Sequence, residues 1–283
     1  MMNGYDTSSF IAESVIHSVY IRNPEQINKY AGYYGQTVMY AAYTFATLIA
    51  PWVCYRLGAK WTVFLGSLPF TISLAAFFHV YPPFFYFSQV LLGFGYGLFY
   101  SGQGQYISEH STRKTISRNS VMASAIVGLF ISHMSKTNIS FGLVPTVLTQ
   151  VPFSLTVYLL TVLGTPNSSS IVPTTEDSLL LTPGVWFIVL CGILHGMIDC
   201  CSTTIRCFVC AVVVPQKRLQ VYSTAKLFQS LATCIGSFVA PCLSIYGWVT
   251  ILIGAQTVAI ICFILVCRTI AASEAISKEP NKM

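Results

Sequence analysis

The chain has 283 residues, of which 54% are hydrophobic and 8% charged, whereas roughly a quarter of residues are charged in an ordinary soluble domain. That composition excludes a soluble globular fold and predicts an all-α polytopic membrane protein. The net charge of +6 does not signal nucleic-acid binding, because most of the cations fall in short loops between apolar runs and act there as topology signals.

Residues 1–30 open without a basic stretch leading into an apolar core, so they carry no secretory signal. They read as an extracellular or lumenal amino-terminal segment. Apolar runs follow at 31–53, 61–80, 84–107, 139–163, 184–213, 222–243 and 245–267, and a bilayer core needs about 20 residues of helix. Residues 119–135 form a further run of about 17 residues with polar ends, at the lower limit for spanning.

Charge parity arbitrates. If 119–135 does not span, Arg56 and Lys60, then Arg113, Lys114 and Arg118, then Lys217 and Arg218, and finally Arg268, Lys278 and Lys282 share one face. By the positive-inside rule that face is cytoplasmic. The acidic loop with Glu176 and Asp177 lies opposite. The reading is about seven spans, amino terminus outside and carboxyl terminus inside.

Within 84–107, Gly93, Gly97, Ser101 and Gln105 recur at every fourth position and form a narrow ridge for close helix packing. Behind it the loop SEHSTRKTISR is basic, and Arg113 to Ser117 also resembles a basic kinase site. Gln103 and Gln105 near the inner end suit bonds across helices. Asn167-Ser168-Ser169, in the outer loop, is a glycan acceptor motif. Asn138-Ile139-Ser140 also matches but abuts a span on the inner side.

All ten cysteines fall inside or at the ends of apolar segments, the pattern of small packing residues rather than a disulfide framework. Cys207 and Cys210 form a C-x-x-C with no second Cys or His pair nearby. The five histidines have no metal spacing. The sequence contains no P-loop, H-E-x-x-H, G-x-S-x-G or dinucleotide fingerprint, so the reading is not an enzyme and needs no cofactor.

The ionisable residues inside predicted spans are Asp199, Arg206 and Lys226. A charge at the bilayer centre costs at least ~2.5–3.5 kcal/mol, so each needs a partner or water. Asp199 and Lys226 both fall within ~10–18 Å of the inner surface at 1.5 Å per helical residue, and the spacing allows them to meet across the hairpin. Asp199 and Arg206 lie seven apart on one helical face. A proton- or ion-linked relay and a structural ion pair both fit; the structural pair is preferred, with Arg206 and Lys226 reaching toward the inner surface. His195, mid-span, reads as a neutral imidazole bonded to a neighbouring helix.

Four segments carry a resemblance to a known family: ESVIHSV with AGYYGQ at 13–36, GFGYGLFYSGQGQYISEHSTRKTISRNS at 93–120, HGMIDCCSTT at 195–204 and AKLFQS at 225–230. On these the chain resembles the Unc-ninety-three-like ion-channel regulatory proteins, a branch of the major facilitator superfamily. The resemblance implies a shortened member. Residues 31–135 resemble family helices two to four with a remnant of five, and 136–283 resemble helices nine to twelve with a cytoplasmic tail. The expected fold is a partial major-facilitator-like bundle.

The expected function is that of an accessory membrane protein acting through helix contacts in the lipid bilayer. The resemblance alone supplies a potassium channel as the partner. The alternatives are a facilitator-type transporter of a small solute and a truncated, non-functional isoform.

Overall fold

The computed structural model describes residues 2–110, 139–213 and 217–278, apart from positions 77, 79, 168, 170–175, 177 and 182–183. The run 119–135, the basic positions Arg113, Lys114 and Arg118, and Asn138 lie outside the described residues. Every described element is helical, as a chain that must satisfy its backbone without water requires. The protein is an all-α membrane protein, a partial helical bundle.

The helices are α1 (Met2–Arg22), α2 (Ala31–Leu57), α3 (Ala59–Ala75), α4 (Pro82–Glu109), α5 (Ile139–Gly164), α6 (Val185–Val213), α7 (Arg218–Val239) and α8 (Ile245–Lys278), with a 3-10 turn at Ala240–Cys242. Against the expectation of about seven spans, three stretches among the described residues, Ala31–Leu57, Val185–Thr203 and Ile245–Arg268, are long and apolar enough to cross a membrane. The amino-terminal segment, read from sequence only as an outer stretch, contains α1. Local chemistry sets several ends. Pro82 opens α4 after an extended Tyr81, since proline suits the first helical turn and pushes its predecessor out of the helical region. One residue, Gly58, joins α2 to α3 at φ 79° and ψ 159°, a conformation essentially confined to glycine.

The chain forms two compact units, Met1–His110 with Val214–Cys242, and Ser111–Val213 with Leu243–Met283. Neither is continuous in sequence. Helix α7, which sequence order groups with the carboxyl-terminal helices, packs on α2 and α4.

In the first unit α4 lies between α2 and α3. A methyl group on Gly93 would overlap the Met39 carbonyl, and one on Gly97 would meet the Ala46 side chain. On the other side of α4, a Cβ at Gly95 would stand 2.8 Å from Pro69 Cβ and one at Gly102 would stand 3.0 Å from Val63. Small residues let the backbones approach, which is how apolar helices gain packing energy when lipid is as apolar as they are. Met39, Tyr43, Phe70, Leu92 and Tyr96 fill the centre.

Helix α7 is inside-out relative to a helix of a soluble protein. Ser223, Lys226, Ser230 and Ser237 are buried, while Phe228, Leu231, Ile235 and Phe238 are exposed. That polarity suits a lipid surround, where apolar side chains lose nothing by facing outward.

In the second unit α5 packs against α6 and α8. Gln150 Nε2 donates to Ser202 Oγ at 2.8 Å, and Ser154, Val157 and Cys201 are buried. Asn167, just after α5, caps α8: its carbonyl accepts from Ile245 N at 3.1 Å and its Oδ1 from Tyr246 N at 3.1 Å. Ser244 Oγ accepts from Gly247 N at 3.4 Å. The opening N–H groups of α8, which have no partner inside their own helix, are thereby satisfied.

Candidate functional site

Among the described residues of the first unit, Lys226 is the buried cation, 5% exposed. Its Nζ stands 4.0 Å from the centre of the Tyr100 ring and 5.9 Å from that of Tyr222, and it donates to Gln229 Oε1 at 3.1 Å. Tyr222 and Lys226 are one turn apart on α7, and Gln229 follows on the next, so one helix supplies the cation and two of its partners. Tyr100 comes from α4.

Behind Tyr100 stands a tyrosine stack. The ring centres of Tyr43 and Tyr96 are 5.6 Å apart, those of Tyr43 and Tyr100 6.2 Å and those of Tyr96 and Tyr100 5.7 Å. The Tyr100 ring presents a π face with a negative quadrupole, which attracts a desolvated ammonium with about 2 kcal/mol or more. That offsets most of the ~2.5–3.5 kcal/mol insertion cost of the charge. The Tyr100 face and the Gln229 carbonyl oxygen thus both stabilise the buried ammonium.

Polar pairs flank it. Ser101 Oγ and Ser223 Oγ are 3.5 Å apart, Thr44 Oγ1 donates to Ser230 Oγ at 3.0 Å, and Cys234 Sγ donates to the Thr37 carbonyl at 3.4 Å. A Cβ on Gly104 would stand 2.9 Å from the Tyr222 ring, so Gly104 lets that ring lie against α4. The face of α4 that begins with Gly93 and Gly97 against α2 therefore continues through Ser101 to α7.

Gln105 Nε2 donates to Glu109 Oε1 at 2.6 Å, one turn along its own helix. Its Oε1 is buried and has no partner among the described residues. Gln103 is half-buried.

Asp199 belongs to the second unit and is exposed, whereas Lys226 is held within the first. The Arg206 side chain lies outside the described residues, as do those of Cys207 and Cys210. His195 was expected to bond to a neighbouring helix. Its Nδ1 instead lies 3.1 Å from the Cys191 carbonyl, one turn back on its own helix. Cys54, Cys191, Cys201, Cys234, Cys242, Cys262 and Cys267 are free thiols, and among the described residues no cluster of His, Cys, Asp or Glu is arranged to hold a metal.

Sequence reasoning missed the aromatic partners of Lys226, although Tyr96 and Tyr100 lie four apart and so share one helical face. It also missed Glu13, a half-buried carboxyl on α1.

The chain matches the family described as ion channel regulatory protein UNC-93 over residues 23–127 and 122–264. It is similar to the UNC93-like protein MFSD11 of Xenopus laevis, 30% identical over 120 residues that make up 42% of this chain and 26% of that protein. The UNC93-like protein MFSD11 of Xenopus tropicalis is 28% identical over 120 residues, with the same coverage of 42% and 26%. The chain thus spans about a quarter of the length of the curated relatives it matches. No solved structure matches it.

Proposed function

Because the chain belongs to the ion channel regulatory protein UNC-93 family, we propose that it is a non-enzymatic accessory subunit that binds another membrane protein, such as a potassium channel, through helix packing. The observation that carries the reading is the reversed polarity of α7. With Lys226 and the serines turned inward and Phe228, Leu231, Ile235 and Phe238 turned outward, the helix offers a partner a continuous apolar face with no ionised group on it. Packing of that kind needs shape rather than charge.

The test is co-purification from membranes that contain the channel, together with a shift in its current. Joint replacement of Phe228 and Ile235 by alanine should abolish both while leaving the packing of α7 on α2 intact. An unchanged current would sink the reading.

A second reading, facilitator-type transport of a small solute, is favoured by the buried Lys226. It requires saturable uptake in proteoliposomes that Lys226→Gln or Asp199→Asn abolishes.

The orientation belongs to the same proposal. The amino terminus and Asn167 face outward, where Asn167 carries a glycan, and Arg56 and Lys60 face the cytoplasm.

A further inference from the structure

Helix α1 is fastened to its unit by two contacts of opposite character. Ile16 is fully buried and packs with Ile27, Ala31, Val80 and Phe85. One turn earlier, the Glu13 side chain points inward at the start of α2. A methyl group on Gly32 would overlap its carboxyl, the Tyr33 backbone N–H donates to it, and its Oε2 is buried with no hydrogen-bond partner among the described residues. An ionised oxygen in that position has lost water and gained nothing in return, whereas a neutral carboxyl tolerates the site far better.

We propose that Glu13 is a proton-binding site that latches α1 onto the start of α2, so that the helix docks more tightly as the surrounding pH falls. The latch goes beyond the accessory-subunit reading, and only the compartment whose pH it senses rests on the outward amino terminus proposed with it.

Burial outweighs the single Tyr33 bond and lifts the Glu13 carboxyl from 4.5 to about 7. The docked state therefore binds a proton more tightly than the released one. Below the ordinary carboxyl value Glu13 is neutral in both states and docking is at full strength. Docking weakens as the pH rises from there to about 7, and above that Glu13 is charged in both states and docking stays at its weakest.

Among the described residues, the other titratable groups on the elements packed here are His17, Tyr20 and Arg22 on α1, Glu25 and Lys29 in the connection, Tyr30, Tyr33 and Tyr34 at the start of α2, and Tyr86 on α4. Arg22 is occupied with Ser18, its Nη2 donating to Ser18 Oγ at 3.2 Å. Lys29 lies over the Tyr30 ring, 5.2 Å from its centre. The backbone at Tyr33 supplies the hydrogen bond that Glu13 receives.

The experiment is hydrogen exchange on the full chain in phosphatidylcholine nanodiscs. Wild type and Glu13→Gln are compared at each pH from about 5 to about 8.5, so that the intrinsic pH dependence of exchange cancels. The amides of residues 13–22 should exchange within a few-fold of each other in the two proteins near pH 5. By pH 8 the wild type should exchange about tenfold faster, a factor well within what proton linkage allows for a carboxyl lifted from 4.5 to about 7. Gly32→Ala, which evicts the carboxyl, should release α1 at every pH. A wild-type to Glu13→Gln ratio that stays constant with pH would overturn the latch, as would full α1 protection in Gly32→Ala. Should Glu13→Gln unfold, protection of α1 relative to α4 in the wild type alone decides, since the latch requires that ratio to fall as pH rises. Channel binding plays no part in this readout, so the latch and the accessory function fail separately.

Discussion

Lys226 holds its ammonium 4.0 Å above the centre of the Tyr100 ring, and this contact joins α7 to α4 through a charge and a π face. If the attraction is electrostatic, it belongs to the pair and not to either residue. Tyr100→Leu should cost about 1–2 kcal/mol of stability. In a Lys226→Met background the same substitution should cost markedly less, giving a coupling within the ~0.5–3 kcal/mol range of contacting residues. Thermal unfolding in detergent with both single variants and the double variant measures it. Strict additivity would show that Tyr100 serves only as packing.

The glycines of this chain should divide into two classes. Gly93→Val places its Cβ against the Met39 carbonyl, a clash with backbone that cannot move aside, and should lose at least about 1–3 kcal/mol as overpacking does. Gly196 and Gly254 have nothing within 4 Å of an added Cβ. Alanine there should be neutral or gain up to ~0.5–1 kcal/mol, because it reduces the freedom lost on forming the helix. Melting temperatures of the three variants test the split.

Asn167 caps α8 through its Oδ1, and the glycan proposed for it would be a separable role. The glycan would attach at Nδ2, so a glycosylated Asn167 still caps. Ser169→Ala should abolish the endoglycosidase-sensitive gel shift and keep the α8 cap, losing only the bond from Ser169 Oγ to the Pro166 carbonyl, worth about 0.5–1.5 kcal/mol. Asn167→Asp should also lose the shift and keep the cap, since aspartate retains the acceptor. Asn167→Ala should lose both, with a cap cost of about 0.5–2 kcal/mol. A wild-type protein without a shift in glycosylating cells would return Asn167 to a purely structural role.

The hydroxyl pair Thr44 and Ser230, 3.0 Å apart, links α2 to α7. Thr44→Val keeps the shape and removes the donor, and should cost about 0.6 kcal/mol, with ~1.7 kcal/mol as the upper end for such bonds in membranes. Ser230→Ala should give a similar loss, and the double variant no more than either alone.

Among the described residues, three of the expected spans, Ala31–Leu57, Val185–Thr203 and Ile245–Arg268, were legible in sequence because a bilayer imposes a length and a polarity that composition reveals directly. The ends were less so. The run 61–80 becomes Ala59–Ala75, and the run 222–243 ends as a helix at Val239, with Pro241 in a separate 3-10 turn. Proline removes a donor and restrains the residue before it.

Which helices pack together was not legible, because every helix offers lipid-compatible faces and only close fit selects a neighbour. The placement of α7 against α2 was therefore missed. Asp199 stood out as a partner for Lys226 because charge is visible in a sequence. The π faces of Tyr100 and Tyr222 depend on how two helices cross. Glu13 escaped notice because nothing in a polar amino-terminal stretch announces that one carboxyl will be turned inward onto a glycine.

The single residue between α2 and α3 has a consequence for how the protein is made. Gly58 leaves no slack, so neither helix can settle in the bilayer while the other waits in water. The two must enter together, as a hairpin whose tip, in the proposed orientation, stays on the cytoplasmic side. Arg56 and Lys60, bracketing that tip, would then be the anchor that stops it from being drawn through.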